Sequence, residues 1–181
     1  MQTIEKKTQT YEDYARLPEG APYQLIDGAL VSSPSPTPYH QKISMRLAHE
    51  LFRYAEKDNH GMVLSAPIDV FLSDTETYQP DLIFIAEARH AIVGEKMIEG
   101  APDFVVEILS PSTAYYDLKH KKRRYEAAGV KEYWIVDPMD KSIEIFTNTD
   151  AGFSMAGHAE GSETIASPLL EGFSVSLGAI F

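Results

Sequence analysis

The chain contains no cysteine. Disulfides and thiolate metal sites are excluded, so any metal must sit on carboxylate or imidazole. Long apolar runs are missing too, and the first residues, MQTIEKKTQTYEDY, have no stretch of the kind a signal peptide needs. A cytoplasmic location, with no membrane partner, is the expectation. Positive charge is scarce: 16 Lys and Arg stand against 27 Asp and Glu, a net charge of −11. Proteins that hold DNA through many phosphate contacts are usually basic, because those contacts release counterions. Nucleic-acid chemistry in this chain must therefore rest on a local basic patch, on metal ions or on a partner. No glycine loop ending in Lys-Ser or Lys-Thr occurs, and no G-x-S-x-G elbow. HELFR at His49 starts like a zinc-peptidase helix but lacks the second histidine, and reads as helix surface.

What remains is an ordinary globular composition, 44% hydrophobic and 24% charged over 181 residues. The expectation is one domain over residues 1–181 with a proper core. Thr10 reads as the cap of a short helix over residues 11–17, stopped by Pro18. Tyr23–Ile26 and Ala29–Ser32 flank Asp27-Gly28, a strong hairpin signal. Pro38 fits the first turn of a long helix with His40, Ile43, Leu47, Leu51 and Tyr54 on one face, ending near Gly61. Strands follow at Met62–Ser65, Ile68–Leu72, Leu82–Ile85 and Phe104–Leu109. A helix from Tyr116 to Ala128 closes at Gly129, and Glu132–Val136 and Ile143–Phe146 form a second hairpin around Pro138–Lys141. The remainder, through SPLLEGFSVSLGAIF, reads as short strands and a tail. This order predicts an α/β (α+β) fold with one central mixed sheet flanked by helices, and an N-terminal hairpin.

Two acidic residues draw attention by position. Asp81 opens PDLIFIA, and Glu107 lies inside the apolar strand FVVEILS. A carboxylate there is costly unless neutral, paired or metal-bound. Two-residue alternation puts Val105, Glu107 and Leu109 on one face, with Phe104, Val106 and Ile108 on the other. A structural glutamate satisfied by an arginine or backbone donors fits this position as well as a functional one. On the next helix, Lys121 shares the apolar stripe of Leu118, Tyr125 and Ala128, while Lys119, Lys122 and Arg123 point aside or outward. A lysine stem lying along apolar surface, or a pair with Asp117, fits the same spacing. Taken together, two carboxylates and one ammonium suit phosphodiester hydrolysis with a hard cation, Mg²⁺ or Mn²⁺. Trp134, within an apolar strand, reads as core. The run Lys119-His120-Lys121-Lys122-Arg123-Arg124 reads as a solvated helix face or as the phosphate-binding patch the acidic whole lacks, carried by Lys119, Lys122, Arg123 and Arg124. Ser110 and Ser112, in SPST, read as turn or cap residues.

The motifs QPDLIF, PDFVVEILSPST, the Asp117/Lys121/Tyr125 spacing and GVKEYWIVDP resemble the restriction-endonuclease-like family, once a domain of unknown function, within the PD-(D/E)XK nuclease superfamily. The resemblance extends to YQLIDGALVSSPSPTPYHQKI upstream and SPLLEGFSVSLGAIF downstream, and so covers nearly the whole chain. It implies a restriction-endonuclease-like fold, and a metal-dependent endonuclease acting on DNA. A homodimer is the expectation, because two copies related by a two-fold axis naturally cut both strands of a duplex. Asp81 then matches the PD aspartate and Glu107 the strand glutamate. Both would be metal ligands, with the Ile108 carbonyl as a further one. The superfamily lysine usually lies two residues after the glutamate, where this chain has Leu109, and Lys121 on the following helix takes its place. Gln24 stands where the family often has glutamate, which puts full activity in question. His40 matches as a phosphate contact or as a hydrogen-bonded core histidine. The alternatives are a catalytically silent nuclease fold used for binding or regulation, and a phosphodiesterase acting on RNA or nucleotides.

Overall fold

The computed structural model describes residues 8–110 and 116–181. Ser112, and the side chains of Asp117 and Leu118, lie outside the described residues. A short helix α1 (Tyr11–Tyr14) follows Thr10, whose backbone N–H donates to Asp13 at 3.1 Å. It is shorter than the sequence suggests, turning off ahead of Pro18. The strands β1 (Tyr23–Ile26) and β2 (Ala29–Ser32) pair antiparallel across Asp27-Gly28. Both turn residues have positive φ, 52° and 67°, as a two-residue hairpin of this twist requires. A side chain on Gly28 would also collide with Thr8, 2.2 Å from where its Cβ would lie.

The long helix α2 (Pro38–Glu56) begins at Thr37, whose hydroxyl accepts from the His40 amide, with Pro38 in the first turn. Next come β3 (Gly61–Ser65), β4 (Val70–Ser73), β5 (Glu76–Tyr78), β6 (Leu82–Ala86), β7 (Ile98–Glu99) and β8 (Phe104–Ile108). A π-helical turn, Tyr116–Lys121, runs into α3 (Lys122–Ala128), which ends at Gly129 with φ 91°. The chain closes with β9 (Glu132–Asp137), β10 (Ser142–Thr149), β11 (Gly152–Glu160), β12 (Thr164–Ala166), β13 (Ser174–Ser176) and α4 (Leu177–Ile180).

Among the described residues the strands form a six-stranded sheet, β11-β10-β9-β8-β6-β3, and a five-stranded sheet, β2-β1-β5-β4-β7; β12 and β13 pair separately. The larger sheet is mixed: β8 and β9 run parallel and its other pairs antiparallel. The fold is therefore α+β. The sequence reading had one sheet; the N-terminal hairpin belongs to a second, completed by the short β5 and β7.

Alternation assigns the two faces of the large sheet. Leu82, Phe84, Phe104, Val106, Ile108, Trp134 and Val136 pack against Ile43, Leu47, Leu51 and Ala55 of α2 and against the C-terminal segment. Ile83, Ile85, Val105, Tyr133 and Ile135 face the second sheet, through Ile26, Val70, Tyr78 and Ile98, together with Tyr125 of α3. Glu107, odd-numbered like Val105, belongs to this second face. Trp134 is fully buried, as its strand context predicts.

Candidate active site

Asp81 and Glu107 come together through strand register. Leu82 pairs with Val106 and Ile83 with Val105. One step further along this antiparallel ladder, Asp81 stands against Glu107 at the end of β6. Asp81 Oδ2 accepts from the backbone N–H of Ile108 at 2.7 Å, which ties the carboxylate to the end of β8.

Glu107 is 3% exposed, and the inward face of the next helix supplies its partners. Lys121, 2% exposed, donates to Glu107 Oε1 at 2.9 Å, and the hydroxyl of Tyr125 donates to the same oxygen at 2.8 Å. Lys121 and Tyr125 are four residues apart, the spacing that aligns side chains along one helix face. The lysine is neither an exposed stem nor out of reach of the carboxylate. Its ammonium also lies 5.9 Å from the centre of the Tyr78 ring. Burial, and then the charge of Glu107, push the Tyr125 phenol well above its usual range, so it stays a neutral donor.

His40 reaches the same place from the other face. Its Nε2 lies 3.1 Å from the Ile108 carbonyl oxygen and 3.3 Å from Asp81 Oδ2. Two oxygens singled out from the sequence as metal ligands thus converge on one point.

Gln24 is buried and its amide is engaged on both sides. Oε1 accepts from the Gln79 backbone N–H at 2.9 Å, and Nε2 donates to Ser33 Oγ at 3.2 Å. Gln24 thereby anchors the segment that leads through Pro80 into Asp81. The Gln79 side chain donates to Asp69 Oδ1 at 2.9 Å, and Tyr14 donates to that oxygen at 2.8 Å. Burial, followed by the bond to Asp69, raises the Tyr14 phenol above its normal range.

The basic run does not act as a unit. Lys119 and Arg123 are exposed. The Lys122 ammonium lies over the Phe146 ring, and burial lowers its pKa. Arg124, itself exposed, reaches to the hairpin, pairing with Asp27 at 2.6 Å and with Glu76 at 2.9 Å. It staples the helix to the hairpin.

Among the described residues, no three His, Asp or Glu side chains form a metal cage. Strand register sets Asp81 against Glu107, and His40 links Asp81 to the Ile108 carbonyl; two carboxylates and a carbonyl are a hard donor set that suits Mg²⁺ or Mn²⁺, cations that keep much of their water. Sequence reasoning missed Tyr125 as a site residue, although its spacing from Lys121 was visible, because an aromatic on an apolar stripe reads as core. Tyr14, Asp69 and Gln79 gave no sequence signal, since their contacts span up to 65 residues of chain.

Residues 10–178 match the family model Uma2, described as "Putative restriction endonuclease". Among solved structures, the chain is similar to "a putative nuclease belonging to DUF820 from Anabaena variabilis ATCC 29413", with a TM-score of 0.80 and 17% identity, covering 95% of this chain and 97% of that one. At that identity the likeness speaks for the fold. Comparison with curated proteins gives no match.

Proposed function

Because the chain belongs to the Uma2 family of restriction-endonuclease-like proteins, we propose that it is an endonuclease that hydrolyses DNA phosphodiester bonds with Mg²⁺ or Mn²⁺. The observation that carries this reading is the register that sets Asp81 against Glu107 at one strand end, with Lys121 hydrogen-bonded to Glu107 and His40 linking Asp81 to the Ile108 carbonyl. Asp81, Glu107 and the Ile108 carbonyl would hold the cation. When bound, such a cation polarises a phosphoryl oxygen and makes water a nucleophile near neutral pH.

The chain's own residues set the stage for that chemistry. Ile108 N–H fixes the rotation of the Asp81 carboxylate. Lys121 donates to Glu107 and places a positive charge beside the site, where it favours the charge that develops on phosphorus. His40 spans Asp81 and the Ile108 carbonyl and aligns them. Exposed Lys119 and Arg123 are the phosphate contacts that the acidic chain otherwise lacks. A homodimer is the natural form for cutting both strands of a duplex.

The experiment is cleavage of supercoiled plasmid by the purified chain with Mg²⁺ or Mn²⁺. Cutting should require metal and disappear in Asp81→Ala, Glu107→Ala and Lys121→Ala, each retaining its far-UV circular dichroism. Undiminished cutting by Glu107→Ala sinks the assignment.

A second reading, a nuclease fold that binds without cutting, is favoured by one observation. Gln24 is neutral and its amide is engaged within the protein on both sides. Absence of both cleavage and Mn²⁺ binding would select it. Cleavage of RNA or small phosphodiesters with intact plasmid would select a phosphodiesterase of different substrate class.

A further inference from the structure

We infer that Tyr125 is a positioning residue: with Lys121 it holds one oxygen of Glu107 and so fixes how that carboxylate is presented to the proposed metal site. This rests on the proposed metal site and assigns a residue that the site's ligands and lysine leave out.

The geometry is specific. Two donors from one helix face, at 2.8 and 2.9 Å, meet on the same atom, Glu107 Oε1. The last torsion of a glutamate is broad and roughly two-fold, so a single donor would leave the carboxylate free to swing. Two donors on one oxygen restrict that freedom.

Tyr125 is itself held. It is fully buried, its ring meets Tyr78 edge-on at 5.4 Å and lies tilted on Tyr133 at 5.3 Å. Tyr78 in turn is hydrogen-bonded to Glu76, which pairs with Arg124 and accepts from the Asp27 amide. The second sheet therefore buttresses the hydroxyl that aims Glu107.

The test is Tyr125→Phe in the full chain, which removes the hydroxyl and keeps the ring contacts. Ser167→Ala is the control: it loses a buried hydroxyl that donates to a different buried glutamate, Glu132, at 2.7 Å. Tyr125→Phe should bind Mn²⁺ roughly 10–100-fold more weakly by calorimetry, the usual loss for a group that orients a metal ligand. It should lower kcat with KM for DNA unchanged, and Ser167→Ala should keep the wild-type Mn²⁺ affinity. In a metal-free crystal structure of Tyr125→Phe, the Glu107 carboxylate should be rotated while the ring stays between Tyr78 and Tyr133. Equal loss of affinity in both variants, failure of Tyr125→Phe to fold, or an unmoved Glu107 each overturns the inference. A wild-type chain that binds no Mn²⁺ defeats the metal-site reading instead, and the crystal comparison still decides how Glu107 is held.

Discussion

Four carboxylates are almost wholly buried among the described residues: Glu76, Asp103, Glu107 and Glu132. Each is satisfied differently. Glu132 lies in a strand as apolar as that of Glu107, yet its partners are Trp134 Nε1 at 2.6 Å, Ser167 Oγ at 2.7 Å and Leu169 N at 2.8 Å. It clamps the C-terminal segment to the sheet. Burial pushes its pKa up despite these donors. A rule that flags acids in apolar strands would have chosen Glu132 as readily as Glu107. The lysine at helical spacing and the matching motifs, not burial alone, distinguished the two. Asp103 pairs with Lys131 at 2.7 Å and Arg89 at 3.1 Å. Burial alone would raise its pKa, but donation by Lys131, the Ala86 amide and Arg89 outweighs it and holds the carboxyl below its ordinary 3.8. A depressed folded pKa stabilises the protein above the unfolded value, and that stability is lost as pH falls through the folded one. Thermal melts of wild type and Asp103→Asn should therefore differ most near neutral pH and converge below 3.8. A gap that stays constant or widens in acid would show that the ionised carboxylate is not what matters.

At the scale of elements, the helix that delivers Lys121 and Tyr125 was legible in its inward pair and in its stop at Gly129. Ala128, read as part of the inward stripe, is exposed because it lies in the last turn, and the π-helical character of the first described turn was not readable. Gly129 is in the left-handed region, and nothing lies within 4 Å of where a Cβ would be. Gly129→Ala should therefore cost about 1 kcal/mol of stability through the backbone alone. Urea unfolding measures it, and no loss would mean the helix end relaxes. The hairpin and the two central strands were equally readable, because Asp-Gly and runs of branched residues are strong local signals. What escaped were β5, β7 and β11. The first two are 3 and 2 residues long and exist only because neighbours align them. β11 is 9 residues long, but its GFSMAGHAE is poor in branched residues and mostly exposed, as befits an edge. The predicted strand Ile68–Leu72 starts two residues later, at Val70, because the chain there is crossing between sheets.

At the scale of the whole molecule, the candidate site is the place where four distant segments converge. His40 comes from α2, Asp81 from the crossing between the two sheets, Glu107 from the central strand, and Lys121 from the helix after it. Glu107 and Lys121 could be picked out as candidates because each departs from its local pattern: an acid in an apolar strand, a cation on an apolar stripe. The hydrogen bonds of Gln24 and the double hold on Glu107 were not readable, because they depend on how the second sheet docks. The net charge of −11 leaves substrate affinity to local contacts and to bound cations. No helix among the described residues is long and apolar enough to cross a membrane. The most direct test of the account is a crystal grown or soaked with Mn²⁺ and measured for anomalous scattering. The account predicts a peak between Asp81, Glu107 and the Ile108 carbonyl, with oxygens at roughly 2–2.6 Å, the range of such bonds. A Mn²⁺ peak elsewhere, or none at millimolar metal, would contradict it.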